Sequence, residues 1–324
     1  MSKEKCLIIG LGQIGLKYDL NKGKEHILSH SRAIDEHPDF KIIGAVDIIK
    51  ENSELFKKKY KKPTYTSIKK AIAETRPSVI IISSPSNTHS KILDEIISGP
   101  LPKAVLCEKP IDSDLIKAKK MVDICLKNNI KLYVNYIRRC DPGSIKVKNK
   151  LNKNMIAKPI KGVVWYSKGI KNNGSHFINL LEDWFGKCVS VKKLSDGNYY
   201  KNIDDSDYNF LLTFNEAEIL FYSSLESSNS YNSIELSSPT GRMIYENGGE
   251  EIIWQPVVED GINNNSTLGK KEILQKNMNQ YQYNVMSCIS DALRGRISPI
   301  STGEDALETL QTIDRVINGD RNEN

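Results

Sequence analysis

The sequence is poor in the features that mark most specialised classes. No apolar run approaches the roughly 18 residues that a membrane span requires, so a membrane protein is not expected. MSKEKCLIIG enters a short apolar run closed by glycine and lacks the layout of a signal peptide, which favours a cytoplasmic protein. The six cysteines contain no C-x-x-C pair, and none is followed by a histidine at zinc spacing, so no metal site is expected. Thiols scattered in apolar runs, such as Cys6 and Cys107, fit a reducing compartment. No helix-turn-helix, zinc-finger or RNP pattern accompanies the lysines, so nucleic acid is not the expected partner of a chain with net charge +6. That surplus suits long-range attraction of an anionic metabolite instead. No internal repeat is present.

What is there suits two domains, because 324 residues exceed one ordinary domain. Over residues 1–137, short β-branched runs alternate with helical stretches. KCLIIG, KIIGAVD, SVIIISS, AVLCEKP and KLYVNY read as strands that are apolar on both faces, with helices over 67–75 and 112–128 between later pairs. Asp112 or Ser113 is the expected cap of the second helix. This pattern predicts an α/β Rossmann domain, a doubly wound parallel sheet. Residues 138–324 change character. Alternating runs separated by Asn, Gly and Ser turns, then helices over 276–294 and 303–318, predict an α+β domain with a large, mostly antiparallel open sheet. GINNNSTLGKK (261–271) reads as a polar, mobile loop.

Three motifs carry chemistry. GLGQIG places Gly10, Gly12 and Gly15 after the first strand, with Gln13 and Ile14 between them. There a tight turn, a close backbone approach to a pyrophosphate and close helix packing each call for a glycine. Asp47 ends the second strand, where a carboxylate can accept from ribose hydroxyls and repel a 2′-phosphate; NAD(H) is favoured, with NADP(H) as the alternative. Asp47 follows Gly15 by 32 residues, about a dozen more than usual. The surplus falls near YDLNKGKEH and could bring Lys22, Lys24 or His26 to a ligand. SSPSNTH follows the third strand, placing Ser84, Pro85, Asn87 and His89 where such sheets bind ligands, with Asn87 or Thr88 as helix cap. CEKP ends the next strand, so Glu108 and Lys109 stand beside the cofactor position, where a lysine can polarise a carbonyl. Arg138 and Arg139 offer a bidentate grip on a carboxylate or phosphate, or a salt bridge to an acid such as Asp141.

GLGQIG, SSPSNTH and CEKP, in this order and at strand ends, resemble the Gfo/Idh/MocA oxidoreductase family, and the similarity continues through VNYIRRCDP and NGSHFINLLEDWFG. The resemblance implies a Rossmann domain followed by an α+β domain whose open sheet mediates a homodimer or homotetramer. It implies hydride transfer between a nicotinamide and a carbohydrate carbon, with Lys109 as the active-site lysine and His176 as the catalytic histidine. His30 corresponds to a histidine near the first helix, which puts the insertion between Gly15 and His30. Two positions depart from the family pattern: Asn172 and Asn179 stand where aspartates are common, and an amide cannot take a proton. The candidate substrate-binding set is Asn135, Arg138, Arg139, Trp165, Lys168, Asn172, His176 and Asn179, with Tyr166 beside Trp165. The expected substrate is a nucleotide-linked or amino sugar of surface-glycan synthesis. Two alternatives stay open: a regulator that binds NAD(P) and a sugar without chemistry, and a hydrolase or lyase that recycles NAD.

Overall fold

The computed structural model describes residues 2–199, 205–224, 231–261 and 265–319. The chain divides into two compact units, Met1–Cys140 with Asn279–Leu307, and Asp141–Met278 with Glu308–Asn324.

In the first unit, strands β1 (Glu4–Ile9), β2 (Phe40–Val46), β3 (Thr64–Tyr65), β4 (Val79–Ile82), β5 (Ala104–Cys107) and β6 (Lys131–Val134) alternate with helices α1 (His30–Glu36), α2 (Lys50–Tyr60), α3 (Ile68–Thr75), α4 (His89–Ile97) and α5 (Leu115–Lys127). The strands form one six-stranded sheet in the order β3-β2-β1-β4-β5-β6, and every neighbouring pair is parallel. Every side chain of β4 and β5 is buried, which is why these strands read as unbroken apolar runs. Order reverses between β1 and β4, so the loops after β1, β4 and β5 lie side by side at the carboxyl edge.

Several boundaries differ from the sequence expectation. Asp114, rather than Asp112 or Ser113, caps α5: its Oδ1 accepts from the Ile116 and Lys117 amides, and Asp112 instead holds the Asp114 amide. Thr88 stands at the cap position of α4 without a side-chain capping bond. Residues 279–307 were expected in the second domain but belong to the first unit. Helix α8 (Tyr281–Leu293) brings Val285, Met286 and Ile289 into the same apolar cluster as Ile34 and Cys140. Thr302 then pairs with Tyr133 of β6, and the Val134 amide donates to Ser301, so the chain covers that sheet edge.

In the second unit, α6 (Pro142–Asn152) has no counterpart in the sequence reading, since only Val147 and Leu151 supply large buried apolar side chains. It precedes β7 (Ile160–Tyr166), α7 (Ser175–Phe185), β8 (Ser190–Tyr199), β9 (Ser206–Phe214), β10 (Ala217–Ser223), β11 (Ser233–Ser238), β12 (Gly241–Glu246), β13 (Glu251–Glu259), β14 (Ser266–Leu268) and β15 (Glu272–Gln275). These form a nine-stranded sheet, β14-β13-β12-β11-β7-β10-β9-β8, with β15 beside β13. Its pairs are antiparallel except β7–β10. Strand β14 lies within the stretch read as a mobile loop: its residues are polar or exposed, but pairing with the end of β13 orders them. Residues 262–264 of that stretch lie outside the described residues. One face of the sheet packs its core against α7 and the later turns of α9 (Gly303–Asn318), with Val164, Tyr166, Phe210 and Phe221 facing Phe177, Ile313 and Val316.

Candidate functional site

In the first unit the glycine loop is built by contact with its neighbour. Gly10 has φ +98, and a side chain there would collide with the backbone of Ser83 and Ser84. The Ser83 hydroxyl donates to the Gly10 carbonyl at 2.8 Å, stitching the loop after β1 to the end of β4. At Gly15 a Cβ would fall 2.2 Å from the Gly10 carbonyl oxygen. At Gly12 a Cβ would meet nothing within 4 Å, and no side chain caps the turn that follows, so its backbone is open to a ligand. Gln13 lies exposed and Ile14 half-buried within that turn. Asp47 directly follows β2; its Oδ2 accepts from the Leu11 amide at 2.6 Å and its Oδ1 from the Ile49 amide at 2.7 Å. The carboxylate is thereby aimed at the glycine loop, and Asn52 also donates to it. Such an open cradle with an acid at the second strand fits a dinucleotide that offers a pyrophosphate and a ribose diol.

The first helical segment after GLGQIG is a single π-type turn, Gln13–Lys17. The insertion follows it, and α1 begins at His30. Residues 19–29 are held by a buried acid: Asp19 accepts from the Leu28 and Ser29 amides and from the Ser29 hydroxyl, each at 2.7 Å. Arg32 donates to the Asp19 and Lys22 carbonyls, and the Ser31 hydroxyl to the Gly15 carbonyl. Lys22 and Lys24 are exposed, and His26 is half-buried. Nothing local in YDLNKGKEH separates Asp19 from an ordinary surface acid, so its clamping role was not legible.

The loops after β4 and β5 are tied together through His89. Its fully buried ring sets Nε2 2.9 Å from the Ser84 carbonyl and Nδ1 3.1 Å from the Ile111 carbonyl. His89 therefore supports these loops from inside, whereas Pro85 and Asn87 are exposed and Ser84 is half-buried. Glu108 anchors the next segment. The His30 Nε2 donates to its Oε1 at 2.7 Å, and the Asn135 amide donates to the same oxygen at 2.6 Å. Asn135 is buried, so it braces Glu108 rather than facing outward. Burial alone would raise the Glu108 carboxyl; the His30 hydrogen bond and charge, the Asn135 amide and the Lys109 charge outweigh it and hold it below its ordinary value. Lys109 follows directly, half-buried, on a cis bond to Pro110. Cys107, one residue before Glu108, is buried with its thiol pushed upward by burial, so it is a poor nucleophile. Arg139 pairs with Asp305 at 3.3 Å, and Arg138 is half-buried.

In the second unit, His176 is the second residue of α7 and is 9% exposed. A second π-type turn, Gly169–Gly174, leads into this helix and presents Asn172 at the surface. Lys168 precedes the turn with φ 66. Two residues of the expected substrate set have protein partners of their own. Trp165 lies on the sheet face opposite Tyr166, stacked on Tyr222 with ring centroids 5.4 Å apart. Strand alternation sends Tyr166 into the core under α7 and Trp165 to the other side. Tyr166 itself is fully buried, and its hydroxyl donates to the Tyr208 carbonyl. Asn179 is also fully buried, and its amide donates to Thr309 of α9 at 3.0 Å. Glu182 continues this ladder by accepting from Thr309 and Thr312, so Asn179 belongs to the packing of two helices.

Among the described residues no helix is long and apolar enough to cross a membrane, and no group of three His, Cys, Asp or Glu side chains is placed to hold a metal ion. All six cysteines are buried, and none forms a disulfide.

Among curated relatives, the chain is similar to the myo-inositol 2-dehydrogenase of Thermotoga maritima, 26% identical over 154 residues, or 47% of this chain and 42% of that protein. The match thus spans less than half of the relative. Two solved structures share the whole architecture. An oxidoreductase from Agrobacterium radiobacter, in complex with NAD+, L-tartaric acid and magnesium, superposes with TM-score 0.78 at 15% identity, covering 100% of this chain and 98% of that one. The WlbA dehydrogenase of Bordetella pertussis, in complex with NADH and UDP-GlcNAcA, does so with TM-score 0.76 at 16% identity, covering 99% and 97%. Residues 4–136 match the model of the Gfo/Idh/MocA oxidoreductase family, described by its NAD-binding Rossmann fold.

Proposed function

We propose that the protein is a sugar dehydrogenase or ketoreductase that uses NAD(H). The observation that carries this reading is the fixed Glu108–Lys109 segment at the carboxyl end of β5, next in the sheet to the strands that carry SSPSNTH and the glycine loop. A bound nicotinamide supplies the hydride acceptor or donor. Lys109 orients the substrate oxygen and steadies its negative charge. His176 takes the hydroxyl proton on oxidation and returns it on reduction. Asn179, turned toward Thr309, takes no part in this proton transfer. NAD(H) is favoured because Asp47 is already oriented by two backbone amides and repels a 2′-phosphate.

The substrate class is a nucleotide-linked or amino sugar of surface-glycan synthesis. Support comes from the net charge of +6, which suits an anionic ligand, and from the like-folded WlbA dehydrogenase, whose structure holds UDP-GlcNAcA. The sheet face carrying Trp165 and Tyr222, with Val163, Leu220 and Ile244 in register, supports association into a homodimer or homotetramer.

Two measurements test the reading. Added NADH must show a fluorescence change on binding, and NADH must accumulate in step with sugar consumed; product without NADH would point to cofactor recycling, and binding without turnover to a regulator. Lys109→Ala and His176→Ala are each expected to lower kcat by at least ~100-fold. Near-normal turnover in either variant removes that residue's role.

A further inference from the structure

The helical stretch 169–185 carries His176 near its start, yet no side chain from its own flanking residues caps the turn or α7. The first amides of such a stretch have no partners within it and must find them elsewhere. They find them on the strand β9 side. Asp207 Oδ1 accepts from the Gly169 amide at 2.5 Å, while Asp205 accepts from the Lys171 amide at 3.1 Å and the Asn172 amide at 2.8 Å. Two carboxylates at the start of a helix are also favoured by the direction of its dipole. The fit is close: Gly169 has φ +90, and a Cβ there would lie 1.9 Å from Asp205 Oδ2.

We propose that Asp205 and Asp207 are positioning residues for His176, setting the height and rotation of the first turn of α7 from outside the helix. The proposal rests on the role given to His176 above and deepens it. Asn172 stands where the resembling family commonly has an aspartate; here Asp205 brings a carboxylate to the backbone of that same residue. Asp205 and Asp207, at the start of β9, thus supply the carboxylates that position 172 does not.

The test uses the full chain labelled at histidine Cε1. With five histidines in the sequence, the His176 signal is assigned by its loss in His176→Asn. Asp205→Ala and Asp207→Ala are expected to move that signal while leaving the other four in place. They are also expected to lower kcat about 10-fold with little change in the KM for NADH. Asp205→Asn, which keeps an acceptor oxygen, is expected to restore most of kcat, and it supplies the same comparison should the alanine variants not fold. An unmoved His176 signal with unchanged kcat and only a lower Tm overturns the proposal. If His176→Asn itself leaves turnover intact, the catalytic reading fails, while the signal shift still decides whether the two aspartates position the ring.

Discussion

Two π-type turns, one after β1 and one after β7, begin alike and are completed in opposite ways. The turn Gln13–Lys17 starts at Gly12, where no side chain caps it and no atom stands within 4 Å of a built Cβ. The turn Gly169–Gly174 has its first amides filled by Asp205 and Asp207. Open amides can take an external anion, whereas amides already paired with carboxylates repel one and hold the next helix still. On the proposed reading, the same backbone device offers a ligand cradle in the first unit and a mount for a side chain in the second.

Filling the open turn should break the contrast with the largest effect. Gly12→Asp fits the extended backbone there (φ −69, ψ −152) and adds a favourable cap, so folding is expected to hold or improve by a few tenths of a kcal/mol. NADH affinity in a fluorescence titration is expected to fall by ~10-fold or more, because the new carboxylate faces the phosphates. Unchanged affinity would place the phosphates elsewhere. Emptying the filled turn comes next. Gly169→Ala displaces Asp205 and imposes an unfavourable φ, with an expected loss of about 1–3 kcal/mol in urea unfolding. A loss no greater than that of Gly186→Ala, where φ is also positive but no atom stands within 4 Å, would show that the carboxylate does not require the glycine.

The smallest effect separates the anchors by pH. The Glu108 carboxyl is held below its ordinary value in the folded chain, so its contribution is fully present above the unfolded value, near 4.5, and is lost as pH falls through the lower folded one. Thermal melts below about pH 5 are expected to show a steeper loss for the wild type than for Glu108→Gln, whose amide does not titrate in this range. Parallel curves would mean that the His30–Glu108–Asn135 contacts add no net charge stabilisation.

Legibility followed distance along the chain. GLGQIG, SSPSNTH and CEKP could be read because turn, strand end and following residues lie together in sequence and because strands covered on both faces are apolar throughout. Asp47 was legible for the same reason, as the acid at the end of the second strand. The face that Trp165 takes was not legible because its neighbours alone do not say which face of β7 is covered. The bond of Asn179 to Thr309 was not legible because that partner comes from a helix over a hundred residues later. Helix α6 was missed because its apolar stripe is narrow and its lysines mask the period.

By itself the sequence determined the alternation of strands and helices, the dinucleotide loop and the chemical type of Lys109 and His176, since each depends on local backbone geometry or on a side chain's own chemistry. Tertiary structure alone decided which groups hold those residues in place. Asp19 closes the insertion, His30 and Asn135 anchor Glu108, and Asp205 and Asp207 fill the turn before His176. A hydrogen bond between residues far apart in the chain requires the fold to bring donor and acceptor within about 3 Å, and no local pattern encodes that meeting.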